Sequence, residues 1–126
     1  MFIYDNASAS PYYVFTAAGD LNGAFHAVTL GANGVEVAGA GTIPIGILSG
    51  ETEPCAAGDD VNVLLSGVGL WIVGEDVSSG DLLAPAGGGV AVKAQEGDFV
   101  FARALEAARA GEAPHIQILN AGVKGA

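Results

Sequence analysis

Histidine, cysteine and glycine-flanked aspartate are the residue types in this 126-residue chain that could support chemistry. Neither His26 nor His115 has a second histidine or cysteine at metal-site spacing, so we expect both to be structural or solvent-facing. Cys55 is the single cysteine, and a nucleophilic thiolate needs a base and an electropositive pocket, which a chain with four Lys and Arg residues rarely provides. We therefore predict an unreactive loop thiol.

Gly-Asp pairs recur along the chain without the spacing of an EF-hand. Because aspartate in a turn accepts backbone hydrogen bonds, we predict turns rather than a calcium site. The pairs are Gly19-Asp20, Gly58-Asp59, Gly80-Asp81 and Gly97-Asp98. Gly87-Gly88-Gly89 lacks the Lys-Ser/Thr of a phosphate-binding loop. We expect no metal, no cofactor and no enzyme activity, although a site assembled from distant residues stays open as a third hypothesis.

The charge balance excludes two classes of partner. Four basic residues oppose fourteen acidic ones, which gives a net charge of −10. Nucleic acids and anionic membranes both repel such a surface, so we expect neither as a partner. The chain is 51% apolar and contains 20 glycines, which favours a folded domain over a disordered tail and disfavours a helical bundle.

Short apolar segments alternate with turn residues every 8–12 positions, which is typical of a β-sandwich or barrel. The predicted strands are Tyr12–Ala17, Ala24–Leu30, Val35–Val37, Ile43–Leu48, Val61–Leu65, Val68–Val73, a short entry ending at Leu83, Val90–Val92, Phe99–Leu105 and Ile116–Asn120. The pattern predicts an all-β, small single-domain β-barrel or β-tulip-like fold with short hairpins. At most one short helical turn is expected, at Glu106–Ala110, ended by Gly111. One domain is divided into an N-terminal arm at 1–11, a barrel core at 12–120 and a flexible tail at 121–126.

Aromatic residues gather near the N-terminus around Pro11. An arm that packs on a neighbouring chain has this composition, and so does a first strand that packs on its own barrel. The candidate capsid or subunit interface consists of Phe2, Ile3, Tyr4, Tyr12 and Tyr13. Trp71 lies among Leu70, Ile72 and Val73, which favours burial in the core over an interface role.

A faint internal repeat is also visible. Gly34–Val37 (GVEV) parallels Gly89–Val92 (GVAV), and each is followed by an apolar strand. Gly19-Asp20 and Gly80-Asp81 precede the two segments. Either a hairpin unit has been duplicated inside one barrel, or the similarity of these turns, which are rich in small residues, is a coincidence.

The order of segments in the second half resembles the small cement, or decoration, proteins of tailed-bacteriophage capsids. The resemblance covers about residues 44–120. It rests on the order of apolar strands and glycine-containing turns and on their composition, rather than on a chemical motif. The segments that carry it are Gly58–Val63, Gly67, Val77–Leu83, Gly89–Val92, Phe99–Leu105 and Ile116–Ile118.

The resemblance implies a virion protein on the outer surface of the expanded head, made in the bacterial host cytoplasm. It would bind the major capsid protein, cement capsid subunits against internal DNA pressure, and assemble as a homo-oligomer, with a trimer favoured. Residues 1–41 match the family less clearly, so we infer from the residues themselves that the contact elements are the N-terminal arm and the glycine-rich loops at one end of the barrel. The alternative is an oligomeric β-barrel ligand-binding or carrier module, which would need Lys93 or Lys124 at the tip of a tight hairpin.

Overall fold

The computed structural model describes residues 11–125, and these residues form ten β-strands and one 3-10 turn at Gly87–Gly89. The first five strands lie in the N-terminal half, residues 11–66, and the other five in the C-terminal half, residues 67–125. The first five are β1 Tyr12–Thr16, β2 Ala27–Gly31, β3 Gly34–Val37, β4 Gly46–Leu48 and β5 Asp60–Leu64. The other five are β6 Val68–Leu70, β7 Leu82–Pro85, β8 Ala91–Lys93, β9 Phe99–Ala104 and β10 His115–Val123.

The strands form two five-stranded antiparallel sheets, so the all-β prediction is confirmed. One sheet has the order β1-β5-β4-β2-β3 and the other β6-β10-β9-β7-β8. The described residues therefore form two sheets, one in each half, rather than a single closed barrel.

The two halves repeat one topology. Each strand of the first sheet has a counterpart at the same position of the second. The irregular pairings repeat as well: Ala17 bridges Val35 in parallel and Leu21 bridges Cys55, while Val73 bridges Ala91 in parallel and Val77 bridges Ala108. The internal repeat is thus a duplication of a five-stranded unit, larger than the hairpin that the sequence indicated.

The sequence alignment of the repeat is one residue out of register. The bridges make Val35 of the first half equivalent to Ala91 of the second half. Matching the sequences GVEV and GVAV would instead make Val35 equivalent to Val90. The cause is the preceding turn. β2 and β3 are joined by two residues between Gly31 and Gly34, whereas three glycines separate Ala86 from Val90 in the second half.

Each half buries its own core. Corresponding positions supply both cores, including Val28 and Leu83 on the second strand of each unit, and Val63 and Ile116 on the fifth. The C-terminal core also takes in Ala27, Ala38 and Ile47 from the N-terminal half. The two halves are therefore packed against each other through apolar side chains, which is the dominant favourable contribution to such a contact.

Trp71 lies at this contact and is fully buried, as the sequence predicted. Its indole N–H donates to the carbonyl oxygen of Gly89 at 2.9 Å. Its ring packs edge-on against Phe101, with ring centroids 5.5 Å apart. A buried indole needs such an acceptor, because an unpaired N–H inside a core is costly.

Several predicted boundaries differ from the observed ones. Glu106–Ala110 is not helical: Ala108 is held in a bridge to Val77, and long-range pairing overrides local helix propensity. The last strand runs to Val123, beyond the predicted end at Asn120 and into the predicted tail. β2 starts at Ala27 because Phe25, at φ 66°, interrupts the predicted strand. Across residues 11–125, no helix is long and apolar enough to span a membrane.

Candidate functional site

The two histidines lie in different halves and have separate structural partners. His26 precedes β2 and its Nδ1 lies 2.9 Å from the carbonyl oxygen of Ala24, so this nitrogen carries the donated proton. His115 begins β10, and its backbone N–H and Nδ1 both contact the Glu106 carboxylate, at 2.7 and 2.9 Å. These hydrogen bonds lower the pKa of Glu106 and tie the loop after β9 to the last strand.

The Cys55 thiol is poorly suited to nucleophilic chemistry. It is half-buried, and its backbone pairs with Leu21 in an isolated bridge. Burial raises the pKa of the thiol, and the nearby Asp59 and Asp20 raise it further. The thiol is therefore protonated at neutral pH, and a protonated thiol is not a nucleophile.

The Gly-Asp turns are confirmed at three of the four pairs. In each, the aspartate side chain accepts the backbone N–H three residues earlier and the glycine has positive φ, which glycine adopts without strain. The Asp59 carboxylate accepts from the backbone N–H of Ala56 at 3.0 Å, that of Asp81 from Ser78 at 2.8 Å and that of Asp98 from Gln95 at 2.8 Å. Glu112 repeats the arrangement with Arg109 at 2.8 Å after Gly111. These carboxylates are occupied by the backbone.

Within the part of the chain that the structure describes, no group of three or more His, Cys, Asp and Glu side chains is arranged to hold a metal ion. An open depression of about 510 Å³ lies beside β5, and four of its nine lining residues are acidic. Its lining includes Glu51, Glu53, Asp59 and Asp60. It offers no cation for an anionic ligand.

The glycine-rich turn has a role that the sequence did not indicate. The carbonyl oxygen of Gly88 accepts a hydrogen bond across the contact between the halves, from the Asn22 side chain at 2.7 Å, and that of Gly89 accepts one from Trp71 within the C-terminal half. A Cβ at Gly89 would lie 2.7 Å from the carbonyl oxygen of Ala27. Only glycine allows this approach, so the turn is part of the joint rather than a phosphate loop. The three consecutive glycines were the feature of the sequence that could have indicated this close approach of two backbone segments.

The exposed first strand remains as the candidate interaction surface. Among the described residues β1 lies at the edge of its sheet and pairs with β5, and it exposes 44% of Tyr12, 62% of Tyr13 and 57% of Val14. Tyr13 also packs against Phe15, with ring centroids 5.1 Å apart. Exposed aromatic residues on a sheet edge favour contact with another protein. Of the five residues predicted for the interface, Phe2, Ile3 and Tyr4 lie outside the described residues.

No protein-family model matches the chain, and no curated protein matches it. Among solved structures, the N base of head fiber gp8.5 from bacteriophage phi29 matches with a TM-score of 0.73. The match covers 90% of this chain and 97% of that chain, at 22% sequence identity. At this identity the match shows a shared fold. A bacteriophage head protein thus has this fold, in agreement with the resemblance found in the sequence.

Proposed function

We propose that this chain is a structural protein of a bacteriophage virion. It binds the outer surface of the head and holds neighbouring major capsid protein subunits together. The observation that carries the proposal is the fold shared with the phi29 head fiber base over 90% of this chain. The resemblance of residues 44–120 to capsid cement proteins is independent support for this proposal, because that resemblance rests on the order of segments in the sequence.

The surface chemistry agrees with a binding role outside the head. The net charge of −10 repels packaged DNA, so an exterior position is favoured over an interior one. β1 presents Tyr12, Tyr13 and Val14 at a sheet edge, where large amphipathic side chains supply contact area. We assign the contact with the capsid to the N-terminal arm together with Tyr12 and Val14, which share the face of β1 opposite to Tyr13, and a trimer is the assembly that the family resemblance favours.

The test is co-sedimentation of the purified chain with expanded capsid shells that lack it, from the phage that carries the gene. Unexpanded shells are the control. Saturable binding to expanded shells alone is the expected result. Binding to neither kind of shell, with the chain shown to be folded by circular dichroism, would contradict the proposal.

The arm is tested by deleting residues 1–10, and by a second variant in which Phe2, Ile3 and Tyr4 are replaced with serine at unchanged length. Both variants are expected to keep the sheet signal in circular dichroism and to bind expanded shells more weakly. If both bind as tightly as the full chain, the arm does not contribute to the contact.

A further inference from the structure

The contact between the two halves uses one row of side chains that crosses the first sheet. Ala27, Ile47 and Leu64 lie side by side on β2, β4 and β5, and each is at least 96% buried, with exposures of 0%, 1% and 4%. We call these three residues the docking row. Ala27 and Ile47 belong to the core of the C-terminal half, and a Cβ at Gly69 of β6 would collide with the Leu64 side chain. The docking row is thus seated on the C-terminal half, against β6 and the glycine-rich turn.

The duplication places an equivalent row on the second sheet. Leu82, Arg103 and Gln117 lie side by side on β7, β9 and β10, in the same register as the docking row. We call them the second row. Leu82 is 37% exposed, Arg103 is exposed and Gln117 is half-buried. The surface that is covered in the N-terminal half is therefore open in the C-terminal half.

The surface that receives the docking row is duplicated as well. Gly69 on β6 corresponds to Tyr13 on β1, because they pair with the corresponding residues Ile116 and Val63. Trp71 corresponds in the same way to Phe15. In the N-terminal half this receiving surface is exposed at Tyr13 and at the turn residues Ala32 and Asn33.

The residue types differ between the two sets in a consistent way. The contact within the chain uses Gly, Ala, Ile and Leu, which resemble a protein core. The open counterparts are Tyr, Leu, Arg and Gln, and of these Tyr and Arg are enriched where separately folded proteins meet. An arginine at the position of Ile47 would lie against the Tyr13–Phe15 pair, because Ile47 and Trp71 share one cluster, and guanidinium groups stack favourably on aromatic rings.

The charges of the halves favour the same arrangement. Each half has seven acidic residues, but all four Lys and Arg residues lie in the C-terminal half, and the N-terminal half, including its arm, has neither Lys nor Arg. Two N-terminal halves repel each other, whereas a C-terminal half presents Arg103 to an acidic neighbour.

We propose that copies of this chain associate head to tail: the second row of one copy docks on β1 and the β2–β3 turn of the next, repeating the contact that joins the halves within each chain. The interface is heterologous, so successive copies close into a ring when the repeated rotation closes. The inference deepens the proposed homo-oligomer by naming the two surfaces that join its copies, and it does not depend on binding to the capsid.

The first test is disulfide trapping in the full chain with Cys55→Ser. Within the chain, the Asn22 side chain lies 2.7 Å from the Gly88 carbonyl oxygen. In the repeat, Ser78 corresponds to Asn22, and Asn33 in the β2–β3 turn corresponds to Gly88. Head-to-tail association therefore brings Ser78 of one copy close to Asn33 of the next. Chains with Ser78→Cys and chains with Asn33→Cys are mixed under mild oxidation. We expect a cross-linked dimer in the mixture and not with either variant alone. Cross-linking of one variant with itself, or none in the mixture, would overturn the head-to-tail arrangement.

The second test is sedimentation of two matched arginine variants without any capsid. The wild-type chain is expected to sediment as an oligomer at micromolar concentration. Arg103→Glu is expected to weaken this association at least about tenfold, whereas Arg109→Glu, an equal charge change on a loop outside the second row, leaves it unchanged. A monomeric wild-type chain, or equal behaviour of the two variants, would refute the proposal. Since no shells are present, this outcome is independent of the capsid-binding assay.

Discussion

Replacing Trp71 with phenylalanine tests the core of the C-terminal half, on which the N-terminal half is seated. The change converts the C-terminal residue to the one at the corresponding N-terminal position, Phe15. It removes the indole N–H that bonds to Gly89, and it leaves a void beside Phe101. The Gly89 carbonyl is buried, so it loses its donor without gaining water.

The expected loss of stability follows from two terms. A buried carbonyl without a partner costs about 1–3 kcal/mol, and a void of at least methyl size adds about 1 kcal/mol. We therefore expect Trp71→Phe to lower the free energy of unfolding by about 2–4 kcal/mol. This is a large part of the roughly 5–15 kcal/mol that a domain usually has.

The assay is urea unfolding followed by circular dichroism, since Trp71 is the only tryptophan and its fluorescence is lost in the variant. Ile43→Val is the control, because it removes one methyl group from an exposed side chain and should change stability by less than about 0.5 kcal/mol. If Trp71→Phe also stays within about 0.5 kcal/mol of the wild type, the hydrogen bond and packing assigned to Trp71 are wrong.

Two further predictions concern a glycine and a carboxyl group. Gly89→Ala should lower the free energy of unfolding by about 2–4 kcal/mol in the same urea assay, because φ is +81° and the new Cβ would meet the carbonyl oxygen of Ala27. Gly87→Ala is the control: its Cβ would have open space, so the free energy of unfolding should change by less than about 0.5 kcal/mol. Hydrogen bonds from His115 hold the pKa of Glu106 below its ordinary value of 4.5, so the ionised carboxylate stabilises the fold above that value and the contribution is lost as pH falls through the lower, folded-state pKa. Stability should therefore fall less steeply between about pH 5 and pH 3 in Glu106→Gln than in the wild type, and equal slopes would contradict this assignment.

The duplication gives a physical reason why one half completes the other. A single five-stranded unit leaves one end of its core open. In the C-terminal half the docking row closes this end and buries Trp71. In the N-terminal half the corresponding Phe15 is only half-buried and packs against exposed Tyr13. One of the two equivalent contacts is thus satisfied within the chain.

The sequence by itself determined the local features. Period-two apolar segments fixed the strand content, because alternating side chains must face a core, and β1, β3, β5 and β9 were placed within a residue or two of their observed bounds. Three of the four Gly-Asp pairs fixed turns, because a glycine at positive φ followed by an acceptor carboxylate is a local property of the chain. The burial of Trp71 also followed from its neighbours.

Only the tertiary structure decided how these pieces pair. Ala108 is held by Val77 across the sheet, so the helix-forming residues Glu106–Ala110 do not form a helix. The extent of the duplication was hidden because its halves share strand order and register rather than residue identity: Ile47 and Arg103 occupy the same position of the repeat. The role of Gly89 in the joint depends on a carbonyl far away in the sequence, that of Ala27. Such contacts depend on long-range pairing, which no local pattern in the chain encodes.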